Sequence, residues 1–128
     1  MKLAIVGSRN LTNIAIEKYI FDDVEEIVSG GAVGVDFCAA EYAKNKGLKL
    51  TEFLPQYNRY GRAAPIVRNK EIVDYADKII VFWNGSSKGT LSVIAYAKKI
   101  DKPFELILCK WSLVFNYVIF GYYRLYNK

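Results

Sequence analysis

The chain has 128 residues, 52% hydrophobic, 15% aromatic and 24% charged, and its 18 basic and 13 acidic side chains leave a formal charge of +5. These figures describe one compact globular domain and exclude a chain kept unfolded by low hydrophobicity and high net charge. Histidine is absent, which excludes Ser-His-Asp and Cys-His nucleophile pairs and histidine-ligated zinc.

Met1–Gly7 opens the chain with a short apolar run, Leu3–Val6, followed at once by polar residues. A strand is expected there rather than a secretory leader, and a cytoplasmic location with it. Thr12–Asp22 has helical length and period, with Thr12 placed to cap it. Ile27–Val28 reads as a second strand and Val35–Asn45 as a second helix, which Gly47 would close in the left-handed conformation. Ala39, Ala40 and Ala43 put small residues on one face of that helix, so it should lie close against a sheet. Leu48–Leu54 reads as a third strand. Pro65–Ala76 reads as a helix with proline in its first turn, where a missing N–H costs nothing. Ile79–Trp83, Gly89–Ile100 and Phe104–Leu108 complete the pattern as strand, helix and strand. Strand then helix, repeated four times, predicts a parallel five-stranded sheet covered on both faces, and the unbroken apolar run Ile79–Trp83 agrees with such burial.

Residues 1–109 account for one α/β domain and carry 15 basic and 13 acidic groups, or +2; Lys110, Arg124 and Lys128 supply the other +3. Cys38 and Cys109 stand in apolar surroundings and read as reduced core thiols, with neither metal nor redox spacing. Residues 110–128 form a separate extension. Trp111–Tyr123 runs for thirteen residues without a charge, and Trp111–Tyr126 holds seven of the nineteen aromatics. The run is short of the about 20 apolar residues that a membrane helix needs, so no membrane contact is expected. An added strand, a helix packed on the domain and a surface buried in a homo-oligomer all remain open.

In an open parallel sheet, ligands sit beyond the carboxyl ends of the strands. Three small-residue turns fall there: Gly7-Ser8-Arg9, Ser29-Gly30-Gly31-Ala32-Val33-Gly34-Val35-Asp36 and Asn84-Gly85-Ser86-Ser87-Lys88-Gly89-Thr90. Glycine lets backbone approach a ligand closely, and the free N–H groups of a following helix bind phosphate. The second turn is not GxGxxG, and no acid ends the strand expected after it, which disfavours an ordinary NAD site. Gly85–Thr90 lacks the GxxxxGK[ST] spacing of a P-loop. Arg59, Arg62, Arg68 and Lys70 form a stretch of cations without an acid, a candidate face for an anion or a solvated loop.

Val6-Gly7-Ser8-Arg9, Ser29–Asp36, Arg68-Asn69-Lys70-Glu71-Ile72 and Ser87-Lys88-Gly89-Thr90 resemble, in that order, the motifs of the SMF/DprA–LOG (SLOG) superfamily, nearest to the small single-domain members related to YspA and YpsA. The likeness spans residues 2 to about 109 and does not extend past Lys110. It implies a Rossmann-like three-layer sandwich that binds a nucleotide or nucleotide-derived ligand, often with self-association, and needs no cofactor or metal. Carried over residue by residue, Gly7, Ser8 and Arg9 would line the ligand edge, and Gly30, Gly31 and Gly34 would make a first phosphate-facing turn. Asp36 would sit in the first helical turn, accepting from backbone N–H groups or a sugar hydroxyl. Arg68 would offer its guanidinium fork to phosphate and Asn69 a hydrogen bond to a sugar or a loop. Gly85, Ser86, Ser87, Gly89 and Thr90 would make the second phosphate turn, with Lys88 solvated.

Two departures separate branches of the superfamily. The LOG phosphoribohydrolases resemble GGxGTxxE at the last turn, and here the position of the catalytic glutamate is Val93. This argues for a sensor or binding module over an enzyme and leaves no catalytic residue assigned, with Asp36 and Glu71 as conceivable substitutes. DprA shares several of these motifs and binds single-stranded DNA, but its additional domains are missing here. Tyr57, Arg59, Tyr60 and Arg62 fit either a small stacking groove for single strands or a lid over one nucleobase, the lid being favoured at so low a body charge.

Overall fold

A computed structural model describes the backbone of residues 1–12, 14–114 and 117–126, and the side chains of 1–12 and 14–109. Six strands, β1 (Lys2–Gly7), β2 (Glu26–Ser29), β3 (Lys49–Glu52), β4 (Lys78–Trp83), β5 (Phe104–Val114) and β6 (Tyr117–Tyr126), make one sheet in the order β3-β2-β1-β4-β5-β6. The first five are parallel and β6 pairs antiparallel with β5. Helices α1 (Val35–Lys46), α3 (Ala64–Tyr75) and α4 (Lys88–Lys99) cover the sheet, and a single turn, α2 (Tyr57–Tyr60), precedes α3.

Alternation along the strands builds two cores. Leu3, Ile5, Ile80 and Phe82 face α1 and pack on Val35, Ala39 and Ala43; Ala4, Val6, Ile79 and Val81 face α3 and α4 and pack on Ile72, Val73, Val93, Ile94 and Ala97. Both sheet faces are therefore dry, which is why β4 is apolar at successive positions. The result is a Rossmann-like α/β sandwich of three layers.

The expected boundaries hold where a local signal fixes them. Gly47 closes α1 at φ 67°, ψ 26°, its N–H turned back to the carbonyls of Ala43 and Lys44, and Pro65 occupies the first turn of α3. Ala39 and Ala43 are fully buried against the sheet. Both cysteines are free thiols, and burial pushes that of Cys109 up to about 11.

The helix expected at Thr12–Asp22 is not found among the described residues. Among the described residues of that crossover the only helical piece is a 3-10 turn, Ile16–Tyr19, and Thr12 caps nothing. Leu11, Ile14 and Ile16 are each buried on the α1 side, at intervals of three and two that no single helix stripe can satisfy. Three β-branched isoleucines, Ile14, Ile16 and Ile20, weaken helix preference further.

The tail takes the added-strand path along its backbone. β5 runs past position 109 to Val114, and β6 returns along it with Glu105 opposite Tyr126 and Val114 opposite Tyr117. Whether its aromatic side chains serve an interface lies outside the described residues. No described helix is long and apolar enough to cross a membrane.

Candidate functional site

The strand order reverses between β1 and β4, the place where open α/β sheets leave a crevice at their carboxyl edge. A cleft of about 410 Å³ opens there, within the roughly 300–1,000 Å³ typical of small-molecule sites. Its walls come from the turn after β1 (Gly7, Ser8, Arg9, Asn10), the turn after β2 with the start of α1 (Gly30, Ala32, Asp36), the first turns of α3 (Pro65, Arg68, Asn69), and the turn after β4 leading into α4 (Asn84, Ser87, Gly89, Thr90). Val6, Ile72 and Val93 make an apolar floor.

Ser8 joins the two central strands at this edge. Its N–H donates to the Phe82 carbonyl at 3.0 Å, and its hydroxyl accepts from the Asn84 N–H at 3.1 Å. Asn84 then organises its own turn: Oδ1 accepts from the N–H groups of Ser86 and Ser87, both at 2.9 Å, and Nδ2 donates to Asn10 Oδ1 at 2.9 Å. Ser87 caps α4, its hydroxyl accepting from the Thr90 N–H at 3.4 Å, while Trp83 Nε1 donates to the Ser87 carbonyl at 3.1 Å. The N-terminus of α4 is thereby held rigidly against the cleft, and its dipole favours negative charge there.

On the opposite wall Arg68 and Asp36 are both buried, 8% and 7% exposed. Arg68 Nη1 donates to the Gly30 carbonyl at 2.8 Å and Nε to Asn69 Oδ1 at 2.9 Å; Asn69 Nδ2 reaches Ser92 Oγ at 3.1 Å and the Gly89 carbonyl at 3.3 Å. One chain of hydrogen bonds thus ties the turn after β2 to α3 and α4. Two nitrogens of the guanidinium, Nη1 and Nε, are engaged by the protein itself. Asp36 accepts from the Ala32 N–H at 3.2 Å. Burial pushes its carboxyl above the ordinary carboxylate range, against the pull of the Ala32 N–H and the Arg68 charge, with Glu52 adding a smaller upward push. Burial also holds the Arg68 guanidinium below its usual value, with the nearby Asp36 charge opposing it.

Of the residues expected at the site, Gly7, Ser8, Arg9, Gly30, Asp36, Arg68, Asn69, Ser87, Gly89 and Thr90 line the cleft. Gly31, Gly34, Gly85 and Ser86 do not; they shape the turns behind it. Gly34 adopts φ 75°, and a Cβ there would collide with the Arg9 backbone. Lys88 is exposed, as expected. Glu71 is not among the lining residues, whereas Asp36 is. Asn10, Ala32 and Asn84 line the cleft without having been singled out; Asn-Gly-Ser after a strand is an Asx-turn signal that marks Asn84. Among the described residues no group of three or more His, Cys, Asp or Glu is placed to hold a metal ion. Compared with known proteins, the chain matches no family model and no curated protein.

Proposed function

We propose that this cleft binds a nucleotide or nucleotide-derived ligand and that the protein is a cytoplasmic sensor or ligand-binding module of the SLOG type. The observation that carries the reading is the meeting, at the switch point between β1 and β4, of two cations, Arg9 and Arg68, with the capped N-terminus of α4. Helix dipole, guanidinium and backbone N–H groups together suit a phosphate, and the apolar floor suits the uncharged remainder of such a ligand. Arg9 is exposed, so its removal leaves the fold intact. In titrations with nucleoside 5′-monophosphates, Arg9→Ala is expected to weaken binding at least about tenfold, since a charge-assisted hydrogen bond contributes about 1.5–3 kcal/mol. Equal affinity of the two proteins contradicts the reading.

One observation favours a second reading, cleavage of the N-glycosidic bond of a nucleoside monophosphate. Asp36 is a carboxyl in the cleft that burial inclines to keep its proton, the property required of a general acid. Release of free base by the wild type and its loss in Asp36→Asn would support this; no release from any nucleoside monophosphate removes it.

A further inference from the structure

β5 has eleven residues, but only the first five, Phe104–Leu108, lie beside β4, whose last paired residue is Trp83. The other six, Cys109–Val114, pair with β6 and with no other described strand. At about 3.4 Å per residue, the two strands run on together for roughly 20 Å past the carboxyl edge of the sheet as a two-stranded arm. The main backbone contacts of β5 and β6 are with β4 and with each other, and no described helix shares an extended contact with either. A two-stranded ribbon is marginal in water on its own, and a large uncharged surface rarely stays open to it.

Alternation along β5 sets the two faces of the arm. Ile107 and Cys109 belong to the core on the α1 side, and Phe104 and Leu106 to the core on the side of α3 and α4. Positions 111 and 113 therefore share the Cys109 face, and the register sets Tyr122, Phe120 and Val118 opposite Cys109, Trp111 and Leu113. Every position of that face beyond Cys109 is a large apolar or aromatic residue, whereas the opposite face includes Lys110, Ser112 and Gly121. Covering an aromatic residue buries about 150–250 Å², so Trp111, Phe120 and Tyr122 with Leu113 and Val118 supply about the 800 Å² per partner of a standard interface. No charge lies between Trp111 and Tyr123, so two such faces meet without repulsion. We propose that the arm is a self-association surface, its Cys109 face packing against the same face of a second copy about a two-fold axis. A second copy brings an uncharged face of the same extent, so one contact covers both arms.

The test is the mass of the full chain by light scattering, with lysines placed by face. The wild type is expected at twice the 14.6 kDa chain mass. Trp111→Lys and Phe120→Lys, opposite each other on the apolar face, should each give the single-chain mass with a far-UV circular dichroism spectrum like that of the wild type. Ser112→Lys and Ile119→Lys, opposite each other on the other face, should keep the double mass. Dilution of the wild type gives a reading that needs no variant: tryptophan emission should move to longer wavelength as the double mass dissociates, because Trp111 then meets water. A wild type of single-chain mass overturns the proposal, as does equal loss of the double mass from both faces, its retention in both apolar-face variants, or constant emission across dissociation. A single-chain wild type that sediments with vesicles of phosphatidylcholine and phosphatidylglycerol overturns it too and assigns the arm to a lipid surface.

Discussion

At Gly30 a Cβ would stand 2.6 Å from Arg68 Nη1 and 2.9 Å from Asp36 Oδ2, so the hydrogen atom of glycine is what lets the buried pair sit against the backbone. Gly30→Ala is expected to displace both side chains, cost about 1–3 kcal/mol as overpacking does, and weaken nucleotide binding; a denaturation midpoint and affinity equal to wild type would contradict this. Arg68 was readable from its cation-rich stretch, but its partners were not, because the Gly30 carbonyl lies 38 residues away in the chain. That bond makes Arg68 a strut between α3 and the turn after β2. Arg68→Ala should leave a buried carbonyl unpaired and lower stability by about 1–3 kcal/mol even without ligand, a loss to be read in urea unfolding. Unaltered stability would show that the strut is dispensable. Asn84 escaped notice for the opposite reason: its signal is local, but its meaning depends on Ser8 and Asn10 arriving beside it from β1.

Elements were legible where one local cause decides them and illegible where tertiary packing does. The α1 C-terminus followed from Gly47, and β4 from its unbroken apolar run. The crossover at 12–22 forms no α-helix among its described residues because its buried residues, Leu11, Ile14 and Ile16, fall at a spacing no helix stripe matches, and β3 ends at Glu52, with Phe53 packed on Tyr75, their rings 5.4 Å apart. At the opposite edge of the sheet from the cleft, β2, β3 and α3 are joined through Glu26, which accepts from Tyr75 Oη at 2.6 Å and Thr51 Oγ1 at 2.8 Å. These donors, Tyr75 foremost, hold the Glu26 carboxyl below its usual value despite its burial. An acid whose pKa is lower in the folded state adds stability above its unfolded pKa and loses it as pH falls through the folded value. Tyr75→Phe should therefore lower Tm at pH 7, and the gap from wild type should narrow below about pH 4 as Glu26 takes up its proton. A gap that is independent of pH would contradict this assignment.

Over the whole molecule, the two ends of the parallel sheet have different work: the amino-terminal edge is tied by Glu26, Tyr75 and Thr51, and the carboxyl edge holds the cleft. The fold class, the edge that carries the cleft and most of the residues lining it were legible in the sequence, because glycine turns and helix starts are local. The end of β3 at Glu52 was not, since the apolar run continues to Leu54. Outermost in the described sheet, β6 offers a ten-residue edge that includes part of the uncharged run, and such an edge invites association. We expect light scattering to give at least twice the 14.6 kDa chain mass, whereas a 14.6 kDa particle contradicts a homo-oligomer. The central claim is that the cleft at the β1–β4 switch point takes a nucleotide. Its most direct test is thermal unfolding of the full chain against nucleoside mono-, di- and triphosphates, dinucleotides and a short single-stranded oligonucleotide. At 100 times its dissociation constant a ligand specific to the folded state adds about 2.7 kcal/mol, a rise in Tm on the order of 10 °C for a domain of this size. We predict such a rise with a small nucleotide and, at the same concentration, at most about half of it in Arg9→Ala. A rise only with the oligonucleotide, falling steeply with salt, or no rise with any compound would contradict the account.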